Sequence, residues 1–359
     1  MIKNVHIKNF RCFNQFEINK LERINLFGGK NNSGKTSLLE ALFMGSTPLP
    51  KTIITLRQIR GESSDFLKVS PEKVWNYLFY EANDNNQSVS IDLEYIDKNR
   101  QIEIEREESF EVFDETQSNE TNDMKSVLTE NEFKQCSLNI YSYQSNNKFK
   151  IASVIASSKG ILQKTFEHAP FVKATFIPAF LRTSSVSLAE EYDKSDLEER
   201  SHLVLQCLQI IDPTISHIKT LTIGKPAMYI KRKNNKYLPI TLFGEAMTRV
   251  VQFILSMINH NNSILLIDKI ETGIHYTNQL ELWKMLFKLS MEFNIQLFAT
   301  THSYEMIKSF SEALSEVNSD VGAYFEITED IRTDQIVAVK RTVDILKYEL
   351  DQKMELRGE

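Results

Sequence analysis

Eight consecutive residues, Gly29-Lys30-Asn31-Asn32-Ser33-Gly34-Lys35-Thr36, have the types and spacing to hold the phosphates of a nucleoside triphosphate. They satisfy G-x-x-x-x-G-K-[ST] at every position. Gly29 and Gly34 free the backbone, so that N–H groups around Asn31, Asn32 and Ser33 can turn inward on phosphate oxygens. The helix that opens at Lys35, Thr36 and Ser37 adds the positive end of its dipole. Lys35 reaches the β- and γ-phosphates, and the Thr36 hydroxyl ligates Mg²⁺. The expected ligands are therefore ATP, or GTP, with Mg²⁺.

Two later segments supply the chemistry such a loop lacks. Ile264-Leu265-Leu266-Ile267-Asp268 is an apolar strand ending in a carboxylate. Many buried strands end in Asp, but in one chain with a P-loop this is a Walker B strand, with Asp268 placed to hold Mg²⁺. The next apolar strand ends in Thr300-Thr301-His302-Ser303, where His302 can sense the γ-phosphate and its attacking water; a surface histidine at a strand end is the plainer alternative. Ahead of both, Gly244, Glu245 and Ala246 sit where a helix begins. A glycine there turns backbone N–H groups toward an anion, although a simple loop-to-helix cap fits the same residues.

These residues need elements to position them. Val5 to Phe10 alternates as a half-buried strand with Phe16-Glu17-Ile18 as its hairpin partner, and Ile24 to Phe27 runs straight into the glycine loop. Ser88 to Tyr95 and Gln101 to Arg106 alternate around an Asp97-Lys98-Asn99 turn, and Ala174 to Ile177 is a further strand. Residues 107–135 are rich in Glu, Asp, Asn, Ser and Thr and read as a long mobile loop. After residue 240, strands and helices alternate, and the strands are apolar throughout, as in parallel sheets buried on both faces. The expected fold is α/β, a P-loop core with an inserted strand-rich lobe and helical segment. Its divisions are 1–50 with the P-loop, 51–239 as the insert, and 240–359 with the remaining site segments.

Composition bounds the rest. The chain has 359 residues, 42% hydrophobic and 25% charged, ordinary values for a soluble globular protein. No apolar run suits a membrane span, and the N-terminus lacks a signal-peptide core. Cys12, Cys136 and Cys207 are scattered and odd in number, which predicts free thiols in a cytoplasmic protein. A net charge of −6 gives no global attraction to nucleic acid. The basic stretch Lys231-Arg232-Lys233-Asn234-Asn235-Lys236 could touch phosphates, with a solvated turn as the plainer alternative.

The motif order resembles the ABC-type ATPases of the SMC, RecF and overcoming-lysogenisation-defect (OLD) group, and within it the stand-alone bacterial AAA-family ATPases related to OLD proteins. Ile7 to Phe13, the P-loop with its Asn31-Asn32 pair, Leu56 to Gly61, Leu265 to Tyr276 and Ala299 to Glu305 carry the resemblance. It implies a head-to-tail homodimer, or a higher homo-oligomer, with ATP held between one copy's P-loop and the other's Gly244–Met247 signature segment. His302 matches the switch histidine, Arg11 an arginine near the nucleotide, and Gln58 is a candidate for the glutamine that completes the magnesium site.

Two departures matter. The family has a glutamate after the Walker B aspartate to activate water, and here Lys269 stands there. Hydrolysis is then expected to be slow or absent unless Glu271 or His302 substitutes. Ala246 replaces a second signature glycine. OLD proteins carry a TOPRIM nuclease, for which the stretch after His302 is too short, so a nuclease or toxin activity would belong to a separate effector, in defence against phages. An ATP-holding scaffold without hydrolysis and a RecF-like DNA repair ATPase are the alternatives.

Overall fold

The computed structural model describes residues 1–62, 70, 73–82, 88–111, 133–144, 147–157, 160–166, 171–180, 183–233, 235–317 and 319–352. Two sheets lie on either side of the helix Lys35–Ser46 that follows the P-loop. The first is antiparallel, in the order Phe13–Ile18, Ile2–Phe10, Ser88–Tyr95, Asn99–Glu111, Phe133–Gln144, Asn147–Ser157, Gly160–Thr165. The second runs Gln335–Arg341, Gly322–Asp330, Ile24–Gly28, Gln296–Thr300, Ile264–Ile267, Ala174–Ile177. Its neighbours are parallel except for the first pair.

Strand chemistry explains the layering. Along Ile264-Leu265-Leu266-Ile267, Ile264 and Leu266 enter the core between the sheets, and Leu265 and Ile267 enter the core on the other face. That alternation, with every side chain apolar, is what a central strand covered on both faces requires. Helices Glu245–Ile258, Gln279–Glu292 and Tyr304–Val317 contribute much of the second core, where the Trp283 ring meets Phe310 edge-on at 4.9 Å and Trp283 Nε1 donates to the Met306 carbonyl at 3.2 Å. The P-loop helix is buried at every residue except Thr36. Gly45 permits its close approach to the antiparallel sheet, because a Cβ there would stand 2.7 Å from Ile91 Cγ2.

The division into core and insert differs from the sequence reading in two places. Ala174–Ile177 pairs in parallel with Ile264–Ile267, Phe176 opposite Leu266, so the chain rejoins the core sheet well before residue 240. Ser88–Tyr95 pairs with Ile2–Phe10, so the inserted strands extend a sheet that the N-terminus begins. The stretch expected as a loop, 107–135, is strand at both ends: Asn99–Glu111 and Phe133–Gln144 stay paired as far as Glu111 opposite Phe133, and residues 112–132 lie outside the described residues. Asn234, expected in a turn, also lies outside them. No helix among the described residues is long and apolar enough to cross a membrane.

Candidate nucleotide site

Three neighbouring strands end together at the carboxyl edge of the parallel sheet: Ile24–Gly28 gives way to the P-loop, Gln296–Thr300 to His302, and Ile264–Ile267 to Asp268. Ligands of open α/β sheets sit at this edge. The Thr36 hydroxyl, in the first turn of the P-loop helix, lies 3.1 and 3.2 Å from the two Asp268 carboxylate oxygens. Thr300 Oγ1 donates to Asp268 Oδ1 at 2.7 Å and fixes the buried carboxylate from the strand between.

Glycine is required at two positions of the loop. Gly34 has φ 97° and a Cβ on it would stand 3.0 Å from the Phe13 ring; Gly29 has φ 134° and a Cβ would stand 2.2 Å from the Ile327 carbonyl oxygen. Lys35 Nζ donates to the carbonyls of Gly29 and Lys30, at 2.8 and 2.5 Å, and to Ser33 Oγ at 3.1 Å. Burial lowers its pKa from 10.5 to about 8, against the nearby Asp268 charge. Asn31 and Asn32 are exposed on the loop, Asn32 in the left-handed region at φ 63°.

The donor set fits a triphosphate with magnesium. Gly34 caps the helix without a side-chain hydrogen bond, and its first turn holds no acidic residue. Its N–H groups are thus available to an anion. Among the described residues Lys35 donates to uncharged oxygens, which an anionic phosphate would outbid. Mg²⁺ takes one or two protein carboxylates and fills its octahedron with phosphate and water. Thr36 and Asp268 supply that much, and among the described residues no group of three or more His, Cys, Asp or Glu side chains could hold a metal ion.

Past Asp268, the Lys269 backbone takes a left-handed turn at φ 49°, with its N–H donating to Thr300 Oγ1 at 2.9 Å. Its ammonium lies 5.2 Å from the centre of the exposed Phe180 ring. Glu271 Oε1 accepts the His302 backbone N–H at 2.9 Å, and the enclosed Oε2 makes no hydrogen bond among the described residues. The His302 ring reaches the Gly29 carbonyl; burial first, then the Lys35 charge, lowers its pKa below 6.5. That environment favours the neutral imidazole.

The family model of the AAA ATPase domain (AAA_15) matches residues 1–174 and 185–307, most of the chain. The chain belongs to the AAA ATPase domain family. This AAA ATPase is 24% identical over 346 residues to an ATP/GTP phosphatase of Helicobacter pylori, covering 88% of the chain and 89% of that protein. A shorter stretch of 42 residues is 50% identical to an uncharacterised protein of Methanocaldococcus jannaschii, covering 12% of the chain and 19% of that protein. Among solved structures, an Smc head bound to the C-winged helix domain of ScpA superposes with a TM-score of 0.54 at 10% identity, covering 95% of this chain and 97% of the other. An Smc head with an extended coiled coil, bound to the C-terminal domain of ScpA derived from Pyrococcus furiosus, gives 0.51 at 9% identity, covering 98% and 99%. The fold is that of the ABC-type SMC head.

In the AAA ATPase the other expected residues fall at different distances from the chemistry. Gly244, at φ 90°, and Glu245 are exposed at the start of the helix Glu245–Ile258, and Ala246 N lies 3.4 Å from where a Cβ on Gly273 would stand. The signature segment thus rests on the turn after Walker B. Arg11 faces away from solvent: its Nε lies 3.0 Å from Glu40 Oε2, and its Nη1 donates to the Tyr77 carbonyl at 3.0 Å. Arg60 forks onto the same Glu40 at 2.7 and 3.0 Å. Glu40 is a fully buried residue of the P-loop helix, so both arginines brace that helix. Gln58 is exposed on the helix Pro50–Ile59.

Two residues of the site carried no sequence signal of their own. Thr300 looked like an ordinary strand end. Arg249 lies on an amphipathic helix where arginine usually faces water, yet it is buried, donating to the carbonyls of Pro178 at 3.2 Å, Asp268 at 3.2 Å and Lys269 at 3.3 Å. It ties the signature helix to the end of the Walker B strand.

Proposed function

We propose that this AAA ATPase binds and hydrolyses ATP with Mg²⁺ between the P-loop of one copy and the Gly244–Met247 segment of a second, head-to-tail copy, and that this cycle controls a separate effector protein in phage defence. The observation that carries the nucleotide part is the Thr36 hydroxyl against both oxygens of Asp268, at strand ends that also gather Lys35, Glu271 and His302. Bound Mg²⁺ would supply charge neutralisation to the terminal phosphates. The first-turn N–H groups, with Ser37, hold the phosphates in place, and Lys35 contributes the compensating charge. Thr300 keeps Asp268 turned toward Thr36.

Water activation falls to Glu271, because a charged Lys269 accepts no proton. The Glu271 carboxylate is oriented by the His302 N–H through one oxygen, and its second oxygen, enclosed and without a hydrogen bond among the described residues, would take the proton of a water admitted beside it. The exposed Gly244 supports closure by a second copy, since a helix start with no side-chain cap offers its N–H groups to a phosphate brought from outside, against the opposing charge of Glu245 in the first turn. The Helicobacter pylori relative, named as an ATP/GTP phosphatase, supports turnover and leaves GTP as a second substrate.

Lys269 favours a second reading, an ATP-holding scaffold in which the ammonium swings from the Phe180 ring onto the γ-phosphate. Fluorescent ATP titration with and without Mg²⁺, beside sedimentation in each state, tests the first reading. Binding that needs Mg²⁺ and a doubling of mass with ATP are expected. Binding indifferent to both Lys35→Ala and Asp268→Asn would end it.

A further inference from the structure

Charge in this chain is segregated. Residues 215–239 hold six Lys or Arg and no Asp or Glu, in a chain whose net charge is −6. They form a separate small sheet: Ile215–Ile223 pairs antiparallel with Lys225–Arg232, which pairs with Leu238–Pro239. Met228 and Ile230 are fully buried, and Ile218 packs on the same core, so these positions face inward. Strand alternation then puts His217, Lys219, Lys225, Tyr229 and Lys231 on the other face. Cross-strand register sets Lys219 beside Tyr229 and His217 beside Lys231.

The cations on this face are held apart from the carboxylates of the described residues. Lys219 Nζ sits 3.8 Å, and Lys231 Nζ 5.7 Å, from the centre of the Tyr237 ring, so both are ordered by an aromatic face and keep their positive charge uncompensated by an anion among those residues. Arg232 is the exception: Asp212 takes it at 2.8 Å, and it lies over the Phe243 ring at 4.8 Å. Lys225, Lys233 and Lys236 are exposed around the same sheet. Ammonium groups gathered on one face of this small sheet match a polyanion. The Tyr237 ring already carries lysine, which favours phosphate contact over base stacking.

We infer that the outward face of the 215–239 sheet binds the phosphate backbone of nucleic acid without reading its bases. The inference rests on this sheet alone and stands or falls separately from the nucleotide site. The test is fluorescence anisotropy of labelled duplex DNA, and of a single strand of the same sequence, titrated with the full chain across a salt series. A triple variant, Lys219→Gln, Lys225→Gln and Lys231→Gln, is compared with a control, Lys288→Gln and Lys308→Gln, which removes charge from helices elsewhere. For duplex DNA the triple variant should flatten the slope of log affinity against log salt by about 3, while the control leaves it unchanged. The stronger of the two arms names the form preferred. No binding of either form at about 50 mM salt, or a slope that the triple variant leaves unchanged, overturns the proposal. Circular dichroism of the triple variant guards against misfolding, and the single Lys225→Gln at the hairpin end, which should lower the slope by about 1, serves if it misfolds.

Discussion

The Thr36 hydroxyl lies 3.1 Å from one Asp268 oxygen and 3.2 Å from the other, across 232 residues of sequence. Two groups of such different origin share one place, as the two ligands of the proposed magnesium ion would. Changing Asp268 to Asn keeps the shape and the hydrogen bonds from Thr36 and Thr300 but removes the charge. Charge-assisted contacts contribute about 1.5–3 kcal/mol. The Mg²⁺ concentration needed for half-maximal ATP binding should therefore rise by roughly ten- to a hundredfold. A magnesium titration at fixed ATP checks this, with folding stability measured alongside.

Lys35 gives the site a pH dependence. Burial holds its pKa at about 8, below the usual 10.5, so the ammonium is mostly protonated at pH 7 and mostly neutral at pH 9. A phosphate partner favours the charged form, so binding raises the pKa and takes up a proton. MgATP affinity should fall by about tenfold between pH 7 and pH 9, following the loss of charge. Calorimetry in buffers of different ionisation enthalpy should register proton uptake near pH 8. In Lys35→Gln the affinity should be low and flat over the same range.

Glu40 predicts a stability effect rather than a binding one. It is fully buried between Arg11 and Arg60, and removing one member of a buried ionic cluster costs about 3–5 kcal/mol. Glu40→Ala should lower the denaturant midpoint strongly. Arg11→Ala should destabilise without altering the ATP affinity of the chain that stays folded. A lower ATP affinity at unchanged stability would instead make Arg11 a nucleotide contact, as the family resemblance implies.

Arg249 separates binding from turnover. Its guanidinium anchors the carbonyls of Asp268 and Lys269 to the signature helix, so Arg249→Met leaves buried acceptors unpaired at about 1–3 kcal/mol each. The Walker B turn that carries Glu271 then loses its tether. ATP should still bind within a few-fold of its normal affinity while hydrolysis falls by more than about tenfold. Single-turnover kinetics at saturating ATP checks the split.

The phosphate loop and the Asp268 strand were legible because their signals are local: a fixed glycine spacing, and apolar residues running into a carboxylate. The α/β class followed from the alternation after residue 240, and the ABC-type likeness from the motifs that carry the resemblance. Less was legible where partners are distant. Ala174–Ile177 has the same character whether it pairs in an insert or in the core, and only its register with Ile264–Ile267 decides. Arg11 looks like any loop arginine until Glu40 is placed behind it. Arg249 and Thr300 act through backbone carbonyls and a shared carboxylate, which leave no pattern in the chain. The acidic composition of 107–135 masked strand ends at both sides, since residues pointing outward from a paired strand are free to be polar.

Steady-state ATP hydrolysis by the purified chain, beside Glu271→Gln and with Lys35→Ala as the blank, tests the central claim most directly. The amide oxygen introduced by Glu271→Gln can still accept the His302 N–H, so the turn keeps its shape while the proton acceptor is lost. Turnover clearly above the blank in the unaltered chain, falling by about a hundredfold or more to the blank in Glu271→Gln, is the expected result, in line with a general base contributing about 10²–10⁴-fold. An unaltered chain no faster than the blank, or a Glu271→Gln variant as fast as the unaltered chain, would contradict it.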